Sequence, residues 1–234
     1  MRYPLPAKIT ILCLFFYAFN SSYSQKTNFK YEAKELIFTD QYFVLPSNFN
    51  LPANQAYYKN QNLFLNSFYF GMTENFSLGM GFEGVSIVEK EFPNVFLMPR
   101  FSLGEDKVKI GFNGYIFLSN QSHSSLFMIV HPSITLGQPV GNISFGILKA
   151  MLDSSDDLFK NIIITTSFNF KLGAKVLCVG EFYFSSEQYD RIFFSNVGVK
   201  ILGKKLSIDF SIPIEILTGE SSTVLFGFSI PFRI

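Results

Sequence analysis

The sequence predicts an all-β fold, a closed antiparallel transmembrane β-barrel of about twelve strands, and three observations predict it. Apolar and polar residues alternate with a period of two over long segments, as in strands with one face in lipid and the other in a barrel interior. Hydrophobic residues make up 48% of the chain and phenylalanine alone counts 30, yet beyond residue 24 no apolar run approaches the roughly 20 residues of a spanning helix. Short glycine-containing turns alternate with longer polar connections.

The first 24 residues have the pattern of a signal peptide. Arg2 and Lys8 give a positive start, residues 9–19 form an apolar run, and small residues at Ser22 and Ser24 precede a cleavage site. We therefore predict a signal peptide over residues 1–24, an N-terminal periplasmic segment over 25–34 and the barrel over 35–234.

Charge and cysteine content narrow the class of protein further. Cleavage after Ser24 would remove two of the 19 basic residues and none of the 18 acidic ones, which leaves a net charge of −1. Such a chain offers no broad basic surface, so a nucleic-acid partner is not expected. Cys178 would be the one remaining cysteine, which excludes an intramolecular disulfide in the mature chain.

The strands are predicted from the alternation, which is clearest near the C-terminus. From Leu206 to Ile216 every even position is apolar, and the odd positions hold residues such as Asp209 and Glu215. The other alternating segments are 95–103, 108–118, 126–136 and 224–234. Counting hairpins backwards from the C-terminus requires one strand before the segment that ends at Gly71, and Glu35 to Leu45 is the predicted first strand. The total is then twelve, to within two strands.

Turns and loops are predicted to lie at opposite ends of the barrel. Tight turns fall at or near Gly71, Gly104, Gly137, Gly173 and Gly203, because glycine adopts positive φ at little cost. The longer connections are 46–55, 86–93, 119–124, 150–160, 185–190 and 218–222. Short periplasmic turns with longer extracellular loops are typical of outer-membrane barrels. Four prolines fall inside predicted strands, and we expect a bulge or bend at each: Pro99, Pro132, Pro213 and Pro231.

Two stretches of the first third resemble a known group of proteins. They are Phe43-Val-Leu-Pro-Ser-Asn-Phe-Asn-Leu-Pro and Asn66-Ser-Phe-Tyr-Phe-Gly-Met-Thr-Glu-Asn-Phe-Ser-Leu-Gly. This part of the chain resembles uncharacterised, porin-like outer-membrane β-barrel proteins of Bacteroidota. The resemblance implies export to the outer membrane of a Gram-negative bacterium, with outer-membrane lipid and the barrel assembly machinery as partners. The end of the sequence also resembles a barrel assembly signal, with Gly227, Ile230 and Phe232 in suitable spacing, and departs from it by finishing on Ile234 instead of an aromatic residue.

The sequence contains no motif that predicts catalysis, a metal site or a cofactor. His131 falls mid-strand on the polar face, where we expect it to bond other lumen residues. His123 lies beside Ser124 and Ser125, which leaves a serine–histidine pair as an alternative to a solvated loop histidine. The acidic residues Asp153, Asp156 and Asp157 crowd one outer loop without the regular spacing of a calcium loop. The sequence therefore predicts a protein that is not an enzyme.

The predicted lumen carries charge of both signs. The basic residues expected near the short-turn end are Arg100, Lys109, Lys171, Lys175, Lys200 and Arg233, with Asp209 among them. Bulky inward residues, including Phe96 and Tyr183, suggest a narrow interior. Three functions stay open: porin-like passage of small solutes with an anion preference, a closed structural or adhesive barrel that binds a partner through its outer loops, and a soluble periplasmic β-barrel. The sequence specifies no oligomeric state.

Overall fold

The computed structural model describes residues 38–88, 93–105, 107–118, 126–151, 162–185, 193–215 and 224–233. Within these residues the chain forms twelve strands and one short helix. The strands are β1 (Gln55–Gln61), β2 (Leu65–Gly71), β3 (Phe76–Glu83), β4 (Val95–Glu105), β5 (Val108–Leu118), β6 (Leu126–Gln138), β7 (Gly141–Met151), β8 (Ile162–Lys171), β9 (Val176–Ser185), β10 (Phe193–Leu202), β11 (Ser207–Glu215) and β12 (Leu225–Arg233), and the helix is α1 (Val85–Val88).

All twelve strands belong to one closed antiparallel barrel. Each strand pairs with its sequence neighbours, and β1 closes the barrel by pairing with β12, with Tyr57 opposite Pro231 and Lys59 opposite Ser229. Closure leaves no free edge, so every strand has a partner on both sides. The predicted fold class and the predicted count of twelve are confirmed.

The two faces of the wall differ in polarity as the alternation predicted. Along β11, Ser207, Asp209 and Ser211 are buried in the lumen, whereas Phe210 and Ile212 on the opposite face are exposed. The outward faces of β4 to β7 are equally apolar, with Phe101, Ile110, Phe112, Ile134 and Phe145 exposed. An exposed apolar band around a polar interior is the arrangement of a barrel solvated by lipid.

The predicted first strand is wrong over the part of it that the structure describes. Residues 38–45 form no barrel strand, and the first strand begins at Gln55 instead. The segment that ends at Gly71 contains two strands, β1 and β2, because Asn62 and Leu63 both adopt positive φ (53° and 66°) and reverse the chain. The β1–β2 hairpin thus takes the place of the two strands that were expected before Gly71, and the number of strands stays at twelve.

The four in-strand prolines do not form the expected bulges at the positions where the pairing can be followed. The β4–β5 ladder is interrupted at Met98 and Pro99, yet Leu97 and Arg100 on either side keep the same register with β5. The β6–β7 ladder is interrupted in the same way at His131 and Pro132. Pro213 and Pro231 lie beyond the described β11–β12 ladder, although Pro213 pairs with Asn196 of β10 and Pro231 with Tyr57 of β1. Pro99, Pro132 and Pro231 therefore sit where one side of the strand lacks ladder pairing, so their missing N–H groups cost no sheet hydrogen bond there.

Connections differ in length between the two ends of the barrel. Short turns join β2–β3, β4–β5, β6–β7, β8–β9 and β10–β11 at what we call the short-turn end. Gly104 and Gly137 adopt positive φ beside two of these turns (122° and 119°), whereas Gly71, Gly173 and Gly203 do not. Most connections at the opposite, long-loop end are longer, and one of them contains α1. No helix among the described residues is long and apolar enough to cross a membrane.

The strands are shorter on one side of the barrel than on the other, so the wall has a smaller height there. Strands β1 and β2 have seven residues each, whereas β6 has thirteen. On the outward register of β1 and β2, the amides of Asn60 and Asn66 bond each other (2.9 Å), and the Tyr58 hydroxyl donates to Asn66 Oδ1. The half-buried Asn66 thus stands on the outward face near the long-loop end of these strands, while Asn60 is itself buried (4% exposed).

Candidate functional site: a plugged lumen

The segment over residues 38–54, which we call the plug, lies inside the barrel and leads directly into β1. Residues 38–49 are buried except Val44 at the tip. Tyr42 N donates to Leu45 O (2.9 Å), and Ser47 N donates to Asp40 O (2.9 Å), so residues 40–47 fold back as a tight hairpin. The second leg of the hairpin then leaves the lumen at the short-turn end, where β1 begins.

Glycine in the wall makes room for the base of the plug. Asn54 N donates to Gly71 O (3.1 Å), and a Cβ atom at Gly71 would lie 2.0 Å from Pro52 O and 2.6 Å from Leu51 O. Both atoms belong to the backbone, so they cannot move aside as a flexible side chain would. The absence of a side chain at Gly71 lets the plug backbone lie against the wall.

Replacing Gly71 by alanine is expected to lower the free energy of unfolding by about 1–3 kcal/mol, because the plug and wall must separate to admit the methyl group. Gly173→Ala is the matched control, since nothing lies within 4 Å of the Cβ position there, and its effect should stay within about 0.5 kcal/mol. Urea unfolding of both variants in lipid vesicles measures the difference. Equal effects would contradict the close contact at Gly71.

Asp40 of the plug pairs with Arg100 of β4. Arg100 Nη1 lies 2.9 Å from Asp40 Oδ2, and the Tyr57 hydroxyl of β1 donates to both oxygens of this carboxylate (2.9 and 3.0 Å). The Tyr69 ring of β2 lies under the guanidinium at 4.7 Å and stacks on Tyr57. Burial raises the pKa of Asp40, while the positive charges of Arg100 and then Lys200 oppose the rise. The plug thus brings one negative charge to a buried cation.

Two wall lysines bind the plug through its oxygens. Lys200 of β10 donates to Gln41 O (2.6 Å) and Phe38 O (3.3 Å). Lys59 of β1 donates to Phe43 O (2.6 Å) and Gln41 Oε1 (3.1 Å), and it lies 3.8 Å from Asp209. Both lysines are buried. Since a buried ammonium needs acceptors, the plug backbone satisfies charges that would otherwise face the lumen.

The tip of the plug binds a wall carboxylate. The backbone N–H groups of Phe43, Val44 and Leu45 all donate to Glu181 Oε1 of β9, at 3.0, 2.8 and 2.7 Å. The Tyr183 hydroxyl donates to the other oxygen of Glu181 (3.2 Å). Successive N–H groups that converge on one anion form a backbone nest, here with the anion supplied by the wall.

Neutral hydrogen bonds hold the plug against β6 and β7. The Tyr42 hydroxyl bonds Asn142 Oδ1 (2.5 Å) and Ser144 Oγ (2.6 Å), and burial raises the pKa of Tyr42, which keeps the hydroxyl protonated. Asn48 donates to Ser133 O (3.1 Å), and the Ser133 hydroxyl donates back to Asn48 Oδ1 (3.1 Å). The plug is therefore bonded to strands around the whole lumen.

Some of the predicted lumen residues belong to the charged cluster around the plug, and the others lie at strand ends, on turns or outside the described residues. Arg100, Lys200 and Asp209 are buried in the charged cluster described above, and the half-buried Lys109 donates to Gly104 O (3.2 Å). Lys171 ends β8, and Lys175 lies exposed on the following turn. Arg233 ends β12 opposite Gln55, with its side chain outside the described set. Asp153, Asp156 and Asp157 also lie outside the described residues, as do His123, Ser124 and Ser125.

His131 lies in the lumen wall, where its alternation placed it. It is 2% exposed, and its Nε2 lies 3.0 Å from Thr165 Oγ1. The histidine ring passes over Gly146, where a Cβ atom would lie 2.4 Å from Nε2. Among the described residues no group of three His, Cys, Asp or Glu side chains is placed to hold a metal ion.

Aromatic side chains line the lumen toward the long-loop end. The rings of Phe96, Phe117 and Phe127 follow one another across β4, β5 and β6 at 6.0 and 5.8 Å between centroids. Tyr183 and Phe194 pack together on the other side at 5.8 Å. The bulky interior expected from the sequence is present, and the plug adds to it.

Several residues that form contacts between the plug and the wall were not predicted from the sequence. Asp40 and Asn48 fell in a segment that was predicted as strand and loop, and Lys59 fell in a strand that was not recognised. The available signal was the alternation of Tyr57, Lys59 and Gln61, three inward residues opposite outward Tyr58 and Asn60.

Solved structures share this fold. A structure described as "Unveiling the Mechanism Behind the in-meso Crystallization of Membrane Proteins" is 12% identical over 77% of this chain and 83% of that chain, with a TM-score of 0.51. Outer membrane phospholipase A from Salmonella typhi, a dimer with bound calcium, is 9% identical over 85% of this chain and 97% of that one (TM-score 0.46). The Escherichia coli phospholipase is 10% identical over 85% and 96% (TM-score 0.43). No family model and no curated protein matches the chain.

At these identities the likeness shows the fold alone: the chain has an outer-membrane type of β-barrel. The comparison also corrects one sequence-based prediction. The prediction that the chain is not an enzyme, which rested on the lack of a catalytic motif, is contradicted, because two of the similar barrels are by name a phospholipase, which is an enzyme.

Proposed function

We propose that the chain is an outer-membrane barrel of a Gram-negative bacterium that is closed at rest by its own plug and passes small solutes only when the plug moves. The observation that carries this proposal is the position of residues 38–54, which occupy the lumen and bind Arg100, Lys59 and Lys200. Export by a signal peptide over residues 1–24 and insertion by the barrel assembly machinery belong to the same proposal.

The way the plug is bound supports movement. Its backbone bonds wall side chains, such as Glu181 and Lys200, instead of extending the sheet. Water can replace bonds of this kind one at a time, whereas a wall strand can leave only if the closed barrel opens. The two legs of the hairpin also lie side by side, with Ser47 Oγ donating to Thr39 O (2.7 Å), and the second leg joins β1 at the short-turn end.

A second candidate, a permanently closed barrel that binds a partner through its outer loops, is favoured by the apolar residues of the plug. Phe38, Phe43, Leu45 and Leu51 are each no more than 4% exposed. Burying an apolar side chain of this size contributes about 1.5–3 kcal/mol, so withdrawal would lose a considerable stabilisation. The two candidates differ in one observable property, whether the plug leaves the lumen.

A crosslink between plug and wall tests the proposal. Asn48 and Ser133, whose side-chain oxygens lie 3.1 Å apart, are replaced by cysteine in a chain with Cys13 and Cys178 changed to serine. Planar-bilayer recording of the reduced protein should show discrete openings separated by long closed periods. Oxidation should abolish the openings, and the single variant Asn48→Cys should not respond to oxidant.

Two results would count against a moving plug. If the folded, reduced protein shows no openings in planar-bilayer recording, the permanently closed barrel is favoured. Openings that continue after complete crosslinking would mean that ions pass without plug movement. Heat-modifiable gel mobility, measured on every sample, establishes that the barrel is folded.

A further inference from the structure

The wall residues that surround Asp40 form a site of their own. Arg100, Tyr57 and Tyr69 come from β4, β1 and β2, and each is no more than 4% exposed. The guanidinium is fixed over the Tyr69 ring (4.7 Å), and the Tyr57 hydroxyl is fixed by stacking on the same ring (4.7 Å between centroids). Cation and hydroxyl are therefore held in place by the wall, and only the anion is supplied by the plug.

Asp40 fills this site incompletely. Its carboxylate receives Arg100 Nη1 at 2.9 Å, whereas Arg100 Nη2 is buried and has no hydrogen-bond partner among the described residues. Arginine binds carboxylates best through two parallel N–H···O bonds. The tether to the plug backbone leaves Asp40 with one of the two, so an untethered carboxylate has a donor available that Asp40 does not use.

We propose that Arg100, Tyr57 and Tyr69 form a carboxylate-binding site in the lumen wall, that Asp40 occupies it as an internal ligand, and that a small carboxylate solute competes with Asp40 and so loosens the plug. The second half of this proposal rests on the plug being movable. The existence of the binding site does not depend on plug movement, because carboxylate binding can be measured on a variant that lacks the Asp40 side chain.

Lys200 and Lys59 add to the attraction for an anion. Both donate to oxygens of plug residues next to Asp40, Lys200 to Gln41 O and Lys59 to Gln41 Oε1. Without the Asp40 carboxylate, the wall carries three buried cations, Lys59, Arg100 and Lys200, against two buried anions, Glu181 and Asp209. An excess of positive charge on the lumen wall favours the passage of anions over cations.

Chemical rescue tests the site. Asp40→Ala removes the internal ligand, and acetate is titrated against it in detergent at constant ionic strength, with chloride and inorganic phosphate as the other anions. We expect Asp40→Ala to melt lower than the wild type and acetate to raise its Tm by about 3 °C or more, with little response to chloride. A larger rise with phosphate than with acetate would assign the site to phosphate-bearing solutes and overturn the carboxylate assignment.

Two controls define the rescue. Asp40→Ala combined with Arg100→Met should lose the response to acetate, because the guanidinium that binds it is gone. The wild-type protein, whose site is filled, should show no rise in Tm. An equal rise in all three proteins would mean adventitious anion binding and would overturn the proposal.

Thiol labelling tests competition in a protein that retains Asp40. Asn48 is 1% exposed, so in the background without Cys13 and Cys178 the variant Asn48→Cys reports movement of the plug through its labelling rate. Acetate should accelerate labelling severalfold over chloride at equal ionic strength. If acetate rescues Asp40→Ala but leaves labelling unchanged, the site stands and displacement of the plug fails. If acetate changes neither the Tm of Asp40→Ala nor the labelling rate of Asn48→Cys, the whole inference fails. If Asp40→Ala does not fold, the labelling rate of Asn48→Cys is the test of the inference.

Discussion

Replacing Arg100 by methionine is expected to lower the free energy of unfolding by about 3–5 kcal/mol, because it leaves the buried Asp40 carboxylate without its cation. Asp40 is 1% exposed and Arg100 is 3% exposed, so water does not screen this pair. Lys175→Met is the matched control, since it removes a cation from an exposed turn and should change stability by less than about 0.5 kcal/mol.

The double variant Arg100→Met with Asp40→Asn should recover part of the loss, because neither buried charge remains. Urea unfolding of the wild type, Arg100→Met, Asp40→Asn and the double variant in lipid vesicles completes the cycle. An Arg100→Met loss below about 1 kcal/mol, close to that of a surface pair, would show that Asp40 has another partner or leaves the site freely.

Replacing Glu181 by alanine is expected to cost about 3 kcal/mol or more, because three backbone N–H groups at the plug tip lose their shared acceptor at once. Phe43, Val44 and Leu45 donate to no other atom in the described contacts. Amide hydrogen exchange in the peptide that contains these residues should accelerate, while exchange in β5 and β6 should not change.

Glu74→Ala provides the control for the loss of a carboxylate. Glu74 is exposed in the turn between β2 and β3, and its removal should alter neither stability nor exchange at the tip. Glu181→Gln should fall between the two, since the amide oxygen still accepts hydrogen bonds but carries no charge. Unchanged exchange at residues 43–45 in Glu181→Ala would contradict the arrangement at the plug tip.

The wall of this barrel was predictable because its physical cause is local. Alternation in Leu206 to Ile216 fixes which side chains face lipid and which face the lumen, and the pairs Lys200–Asp209 and Val199–Phe210 follow that assignment. A shift of one residue would have placed Asp209 in lipid. The register of each hairpin is thus determined by the same residues that reveal the strand.

The plug was not predictable in this way, because its conformation depends on the completed barrel. The apolar content of a strand is present in Leu36, Ile37, Phe38, Tyr42, Phe43 and Val44. Of the described ones, Phe38, Tyr42 and Phe43 are buried by the surrounding wall instead, and Val44 is exposed at the tip. The β1–β2 hairpin was missed for a different reason. Its turn uses Asn62 and Leu63 with positive φ, and leucine is rarely found in that conformation. The candidate site combines both features, since Asp40 comes from the plug and Tyr57 from β1.

The unequal height of the wall has a consequence for the surrounding lipid. Strands tilted by about 45° and rising about 3.4 Å per residue cover roughly 17 Å with seven residues and roughly 31 Å with thirteen. A hydrocarbon layer of about 30 Å therefore matches β6 and exceeds β1 and β2. Such hydrophobic mismatch is accommodated by tilt of the protein or by local thinning of the bilayer. Either response draws lipid headgroups toward the half-buried Asn66, on the side of the barrel where the plug joins the wall.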